Sequence, residues 1–281
     1  MTIAEIHRKV SEKWTNSEDV LTSDVFTAFR YLPADKGIVG FLRSIDGLSS
    51  IIPEPIVSAS CEFHFWPRGR YREPDLMLEI TVDGHVYHVL IEAKYLSGPS
   101  DYEIVESAQD GDTIKLGNQL ADQLRGLHRG SYTIFHEGDR YKQLLMSSRK
   151  EDRLLLYLTA HPVRPDYELA QVKILYPEGT FALFWANWYQ VYDYLTTGKD
   201  NFSTFPYNRI VADVLTLLKI KHFSTFQGIT PVPDFNQTKI EHGFWIGTRI
   251  LLPSFTGIRP PPAIDLGSTR APFWKGNGYE Q

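Results

Sequence analysis

The dipeptide Asp83-Gly84 constrains this chain more than any other pair of residues. It separates two apolar, alternating runs, roughly 75–82 (DLMLEITV) and 85–94 (HVYHVLIEAK). In that setting Asp-Gly predicts a two-residue hairpin turn, because both central positions need a positive φ that Asp tolerates and Gly adopts freely. Val82 then faces His85, paired positions sum to 167, and Asp75 faces Glu92. Asp75 and Glu92 form a non-hydrogen-bonded pair, in which Cα atoms lie about 4.5 Å apart and side chains are closest. Alternation puts Lys94 on the face of Glu92. It puts Leu76, Leu78, Ile80, Val82, Tyr87, Val89 and Ile91 on the opposite face, as core.

The rest of the chain supplies elements around this hairpin. Residues 15–32 predict an amphipathic helix, with Thr15, Asn16 and Ser17 as capping candidates and Leu21, Val25, Phe29 and Leu32 on one stripe. Residues 56–66 (IVSASCEFHFW) alternate as a strand. Residues 95–112 hold five acids and no base, together with Gly98, Pro99 and Gly111, which predicts a mobile acidic loop. A second helix is expected over 114–128, with Leu116, Leu120, Leu124 and Leu127 on one face, and a buried strand over 154–160. Strand, helix, strand in that order predicts a right-handed parallel crossover. Further helices are expected near 182–195 and 207–222. The last fifty residues, with Pro260, Pro261 and Pro262 in a row, are expected to pack over the core as extended chain. With no internal repeat and no clean linker, residues 1–281 read as one α/β domain, its core over about 15–165 and a C-terminal addition over about 166–281.

Composition excludes several function classes. The 281 residues are 42% hydrophobic and 22% charged, as expected of a folded chain. One cysteine, Cys61, rules out an intrachain disulfide and a cysteine-rich zinc site, and fits a reducing cytoplasm. The N-terminus lacks the apolar core of a signal peptide, and no apolar run approaches membrane-spanning length. A net charge of −5 argues against a protein that coats nucleic acid indiscriminately, so any nucleic-acid surface must be local.

Two acids placed directly opposite repel, and one lysine does not neutralise them. A divalent cation resolves the conflict, since Mg²⁺ is typically held by one or two carboxylates plus substrate phosphate. A neighbouring lysine can stabilise phosphate charge, or help the metal lower the pKa of an attacking water. That equipment suits phosphodiester hydrolysis. Glu92-Ala93-Lys94 is the single acid-x-Lys triplet in the chain, and it ends the apolar run Val89-Leu90-Ile91.

Through Pro74-Asp75 and Glu92-Ala93-Lys94, and through the order helix, three-strand meander, helix, strand, the chain resembles the PD-(D/E)xK nuclease superfamily, which includes restriction endonucleases and RecB-like nucleases. The resemblance covers little more than half of the chain. It implies a restriction-endonuclease-like core, Mg²⁺ or Mn²⁺ on Asp75, Glu92 and the Ala93 carbonyl, and Lys94 serving the attacking water. It implies DNA as substrate, endonuclease rather than exonuclease action, and a role in DNA processing or defence against foreign DNA. A protein partner or a second copy of the chain remains open.

Further residues extend this expectation. Glu18 lies about 20° around the first helix from both Val25 and Phe29, so it points with the apolar stripe toward the sheet. The resemblance implies a metal-supporting acid there; the competing reading is a capping box from Thr15 to Glu18. Gln123 lies beside the leucine stripe of the second helix, with Gln119 one turn earlier. The resemblance implies that Gln123 reaches the catalytic centre, and Gln119 is assigned to nucleic-acid contacts. Arg68, Arg70 and Arg72 alternate in the loop before Asp75 and are expected to grip phosphates. His161 is expected to be structural, and Trp185, Trp188, Tyr189 and Tyr192 to be core. The acidic loop has two readings: a solvated surface loop that folds away from the site, which is favoured, or a gate that occupies Arg68, Arg70 and Arg72 until DNA or a partner displaces it. Two other classes compete: a nuclease-fold binding module without autonomous cleavage, and a structural protein in which the hairpin acids are incidental.

Overall fold

A computed structural model describes residues 17–95, 104–106, 113–115, 118–136, 140–225, 245–246 and 249–250, with positions 6, 7 and 9 near the N-terminus. The chain divides into two compact units, residues 1–226 and 227–281. In the second unit the described residues form one short antiparallel ladder, Trp245–Ile246 with Arg249–Ile250. The triple proline and the extended chain expected there lie outside the described residues.

The first unit is mixed α/β. Helix α1 (Glu18–Arg30) is followed by the short α2 (Ile38–Ser44) and by the antiparallel strands β1 (Ala59–Phe65), β2 (Leu76–Val82) and β3 (His85–Lys94). The small ladder of β4 (Ile104–Glu106) and β5 (Thr113–Lys115) precedes α3 (Gln119–Arg129). A hairpin of β6 (Ser131–His136) and β7 (Arg140–Leu145) leads to β8 (Arg153–Thr159) and α4 (Asp166–Leu175). Strand β9 (Leu183–Asn187) and helices α5 (Trp188–Thr197) and α6 (Tyr207–Ile220) complete the unit. The main sheet has the order β1-β2-β3-β8-β9, antiparallel on the first side and parallel from β3 onward.

The hairpin forms in the expected register, from Val82↔His85 to Leu76↔Ile91. Asp83 and Gly84 both take positive φ, 49° and 84°, as the tight turn requires. Alternation then separates two apolar layers. Leu76, Leu78, Ile80, Val89 and Ile91 pack with α1, α2, α5 and α6, whereas Met77 and Leu90 pack with α3, α4 and the β6–β7 hairpin. The sheet is therefore buried on both faces between two layers, and its apolar strands reflect that.

Several expected elements differ. The run 182–187, expected to be helical, is strand β9 paired parallel to β8, and the helix begins at Trp188. Asn187 caps it: Asn187 and Gln190 form a reciprocal capping box, the device that ends the strand and starts the helix. The second helix starts at Gln119 rather than 114, because the Asn118 side chain accepts from the amides of Leu120 and Ala121. Part of the acidic segment expected to be loop is strand β4; Asp101, Glu103, Asp110 and Asp112 lie outside the described residues. The core also runs past residue 165, since Trp188, Val191, Leu195, Phe202, Val214 and Leu218 belong to the same apolar layer as α1. No described helix is long and apolar enough to cross a membrane.

Candidate active site

The open end of the β2–β3 hairpin gathers the acids. Asp75 precedes the first ladder pair, and its Oδ2 accepts the Ala93 N–H at 2.7 Å. Glu92 is 1% exposed and Asp75 9% exposed. Lys94 Nζ donates to Glu92 Oε1 at 2.7 Å and to Glu18 Oε1 at 3.2 Å. Glu18 Oε2 also accepts the Tyr95 N–H at 2.9 Å. Helix α1 packs on the opposite face of the sheet, so Glu18, in its first turn, reaches around the strand end. Ser17 holds the N-cap position without a side-chain bond, and Thr15 lies outside the described residues.

Helix α3 closes the site from the other layer. Gln119 and Gln123 are one turn apart and donate through Nε2 to Glu92 Oε1 and Oε2, each at 2.5 Å. Gln119, assigned from sequence to a nucleic-acid surface, instead stands beside Gln123 on the Glu92 carboxylate. Gln123 is 2% exposed, and its Oε1 is buried without a partner. Asp75, Glu92, Lys94, Glu18, Gln119 and Gln123 are thus brought together from four segments of the chain.

Electrostatics distinguish this cluster from a salt bridge. Burial pushes the Asp75 carboxyl up to about 8, Glu92 adds to the rise, and the Ala93 N–H and Lys94 only partly offset it. Burial likewise raises Glu92, against the opposing pull of Lys94 and Gln123. For Lys94, burial works against the charged form, but Glu92, Glu18 and Asp75 overcome it and hold the ammonium above its usual pKa. Lys94 is therefore a fixed cation in this arrangement, better suited to stabilising phosphate charge than to taking a proton.

A hard cation fits this donor set. Two buried carboxylates under-compensated by one ammonium attract positive charge, and all their donor atoms are oxygen. Asp75 Oδ2 is engaged by Ala93, which leaves Oδ1 for a ligand. Among the described residues no group of three or more His, Cys, Asp or Glu side chains is arranged as a metal cage. Mg²⁺ typically keeps several waters and needs only one or two carboxylates, so Asp75 and Glu92 meet its requirement.

The three arginines do not form one groove. Arg72 turns inward, with Nε 3.9 Å from Asp122 Oδ2, on the same buried carboxylate that Arg125 contacts at 2.8 Å. Asp122 lies on α3 and is 2% exposed, so compensating its charge draws Arg72 away from solvent. Arg68 and Arg70 stay exposed. His161 is exposed and bonds locally, its Nδ1 accepting the Val163 N–H. Trp188 and Tyr192 are core, while Trp185 lies on strand β9 and donates to Thr159 Oγ1.

Sequence reasoning missed two supports of the site and one buried polar relay. Trp188 Nε1 donates to the Lys94 carbonyl at 3.3 Å, and the Tyr95 amide binds Glu18. His88 is fully buried between Ser148 and Glu79, and burial holds its imidazole down to about 4, so it is neutral and structural. The Trp188, Tyr95 and Ser148 contacts join segments far apart in sequence, whereas Glu79 and His88 are cross-strand partners that the hairpin register already pairs. No family model, no curated protein and no solved structure matches this chain.

Proposed function

We propose that this chain is a Mg²⁺- or Mn²⁺-dependent nuclease that hydrolyses phosphodiester bonds in DNA, with a core like that of the PD-(D/E)xK enzymes. One observation carries the reading: Asp75 and Glu92 are seated together under burial with a single fixed ammonium, although isolated they repel. Asp75, Glu92 and the Ala93 carbonyl would hold the cation, which when bound supplies Lewis-acid stabilisation of the phosphate and lowers the pKa of water.

This chain's own residues do the rest. Lys94 places positive charge where a phosphate oxygen would sit beside the two acids. Glu18 holds Lys94 from α1, and so fixes the ammonium relative to Glu92. Gln119 and Gln123 each donate to one oxygen of Glu92, which sets the plane of its carboxylate. The β6–β7 hairpin and α3 cover the second face of the sheet and limit the water reaching Glu92.

A digestion panel tests the proposal, using supercoiled, linear and single-stranded DNA and RNA with and without Mn²⁺. The expected result is cleavage of DNA only with the metal, lowered by about 10²-fold or more in Glu92→Gln. No cleavage of any substrate by the folded protein would favour a binding module built on the same scaffold.

A further inference from the structure

The clefts beside the β6–β7 hairpin carry a second set of functional groups. Trp66, Phe135 and Tyr141 are large aromatics that remain 43%, 57% and 54% exposed. They line one groove of about 1060 Å³, together with Arg68. Arg68 also lines the adjoining cleft of about 460 Å³, with Arg70 and Arg129 and no acid. Both volumes are of ligand-site size.

These groups are held rather than scattered. The Arg68 N–H donates to the Thr133 carbonyl at 2.8 Å and the Thr133 N–H returns to the Arg68 carbonyl at 2.9 Å, which fastens the hairpin to the loop after β1. Phe135 and Tyr141 are cross-strand partners with ring centroids 6.0 Å apart, and the Arg68 guanidinium lies over the Tyr141 ring at 4.6 Å. Trp66 is held at φ 48°, a region that bulky residues rarely enter, and its side chain is presented to the groove. Glu62 and Glu73 border the aromatic half, and Glu73 lies 3.6 Å from Arg68, so the positive charge concentrates in the second half.

The clefts adjoin the candidate active site through two elements. The Trp66 N–H donates to the Asp75 carbonyl at 3.0 Å. Gln119, Gln123 and Gly126 follow one another along one face of α3, the glutamines on Glu92 and the glycine on the arginine cleft.

We propose that these clefts bind single-stranded nucleic acid, with bases stacked among Trp66, Phe135 and Tyr141 and the backbone phosphates on Arg68, Arg70 and Arg129. Every base has a π-face, so stacking on exposed aromatics tolerates any sequence, and interleaved arginines supply phosphate contacts. An acid-free arginine cleft is complementary to a polyanion, although the chain as a whole is negative. The proposal deepens the nuclease reading by naming the form of substrate that reaches Asp75, and it rests on that reading for its direction toward the site.

Fluorescence anisotropy with labelled oligothymidylate and a duplex of equal length, in EDTA, measures binding apart from cleavage. Single strand should bind more tightly than duplex and quench tryptophan fluorescence. Tyr141→Ala and Phe135→Ala, both at exposed aromatics, should each weaken single-strand binding by about 5- to 100-fold while leaving the circular dichroism spectrum unchanged. Arg70→Ala should weaken it and flatten its salt dependence. Tyr167→Ala, an exposed aromatic on α4, serves as the control and should change nothing. Preference for duplex, or full affinity in both aromatic variants, would overturn the cleft while leaving metal-dependent cleavage untouched. Binding to heparin and oligothymidylate alike, insensitive to the aromatic variants, would also overturn it.

Discussion

The two ends of the β2–β3 hairpin treat their acids in opposite ways: exposed Asp83 and buried Asp152 at the turn end, buried Asp75 and Glu92 at the open end. At the turn end, Asp83 accepts the Val57 and Ser58 amides and the Ser58 hydroxyl, which hold its carboxyl below the usual range. Asp152 meets Arg149 Nε at 2.9 Å and His85 Nε2 at 3.0 Å; burial works against its charge, yet these partners hold its carboxyl down. At the open end Asp75 and Glu92 share a single ammonium and both are pushed up. The turn end thus satisfies its acids, Asp83 in the turn itself and Asp152 from the segment just before β8, whereas the open end leaves Asp75 and Glu92 short of positive charge. Charge compensation is what an element built only for stability requires. Its incompleteness at one end is what supports the proposal that a cation binds there.

The comparison predicts separable effects. Glu92→Gln should lower metal-dependent cleavage by about 10²-fold or more, the scale of losing a charge-stabilising group in an enzyme site, and should leave the fold intact in circular dichroism. Retained cleavage would remove Glu92 from the chemistry. Gln123→Leu, which takes away one donor to Glu92, should cost about 10- to 100-fold in cleavage or metal affinity. Cleavage and metal titration at wild-type levels would make the α3 amides mere packing.

Asp152→Asn should do the reverse, leaving cleavage unchanged and lowering unfolding free energy by about 1–2 kcal/mol, a figure reduced because Arg149 and His85 are partly exposed. Its pH dependence has a definite sign. The folded-state carboxyl is held below its unfolded value of 3.8, so the contribution is present above that value and is lost as pH falls through the folded-state value. Urea titrations should therefore show the wild-type advantage at pH 7 closing below about pH 4. An advantage that persists in acid would mean that Asp152 acts through packing rather than charge.

What was legible in the sequence divides along the same line. The open end could be read because its geometry is local: one Asp-Gly turn fixes the register, and that register aligns Asp75, Glu92 and Lys94. Helical spacing placed Glu18 and Gln123 on the faces that meet the sheet. Strand β9 was misread because its short run Leu183–Ala186 is wholly apolar, a pattern that a buried strand and a buried helix share. The signal that separates them was present as Asn187 and Gln190, the capping pair. The β6–β7 hairpin went unassigned although Tyr132 and Ile134 alternate with less buried residues and belong to the second apolar layer. Arg72 could not be read at all: only the fold brings it to Asp122, and in sequence it looks the same as Arg68 and Arg70.

The central claim is that Asp75 and Glu92 together bind a divalent cation. Thermal unfolding of the wild type and Asp75→Asn, each in EDTA and in millimolar Mn²⁺, tests it most directly. The account predicts that in EDTA Asp75→Asn melts above the wild type, because the cost of burying an ionisable carboxyl beside Glu92 is removed while the Ala93 N–H keeps an acceptor. It also predicts that Mn²⁺ raises the melting temperature of the wild type and not of the variant. A variant that melts below the wild type in EDTA and gains as much from Mn²⁺ would contradict the claim.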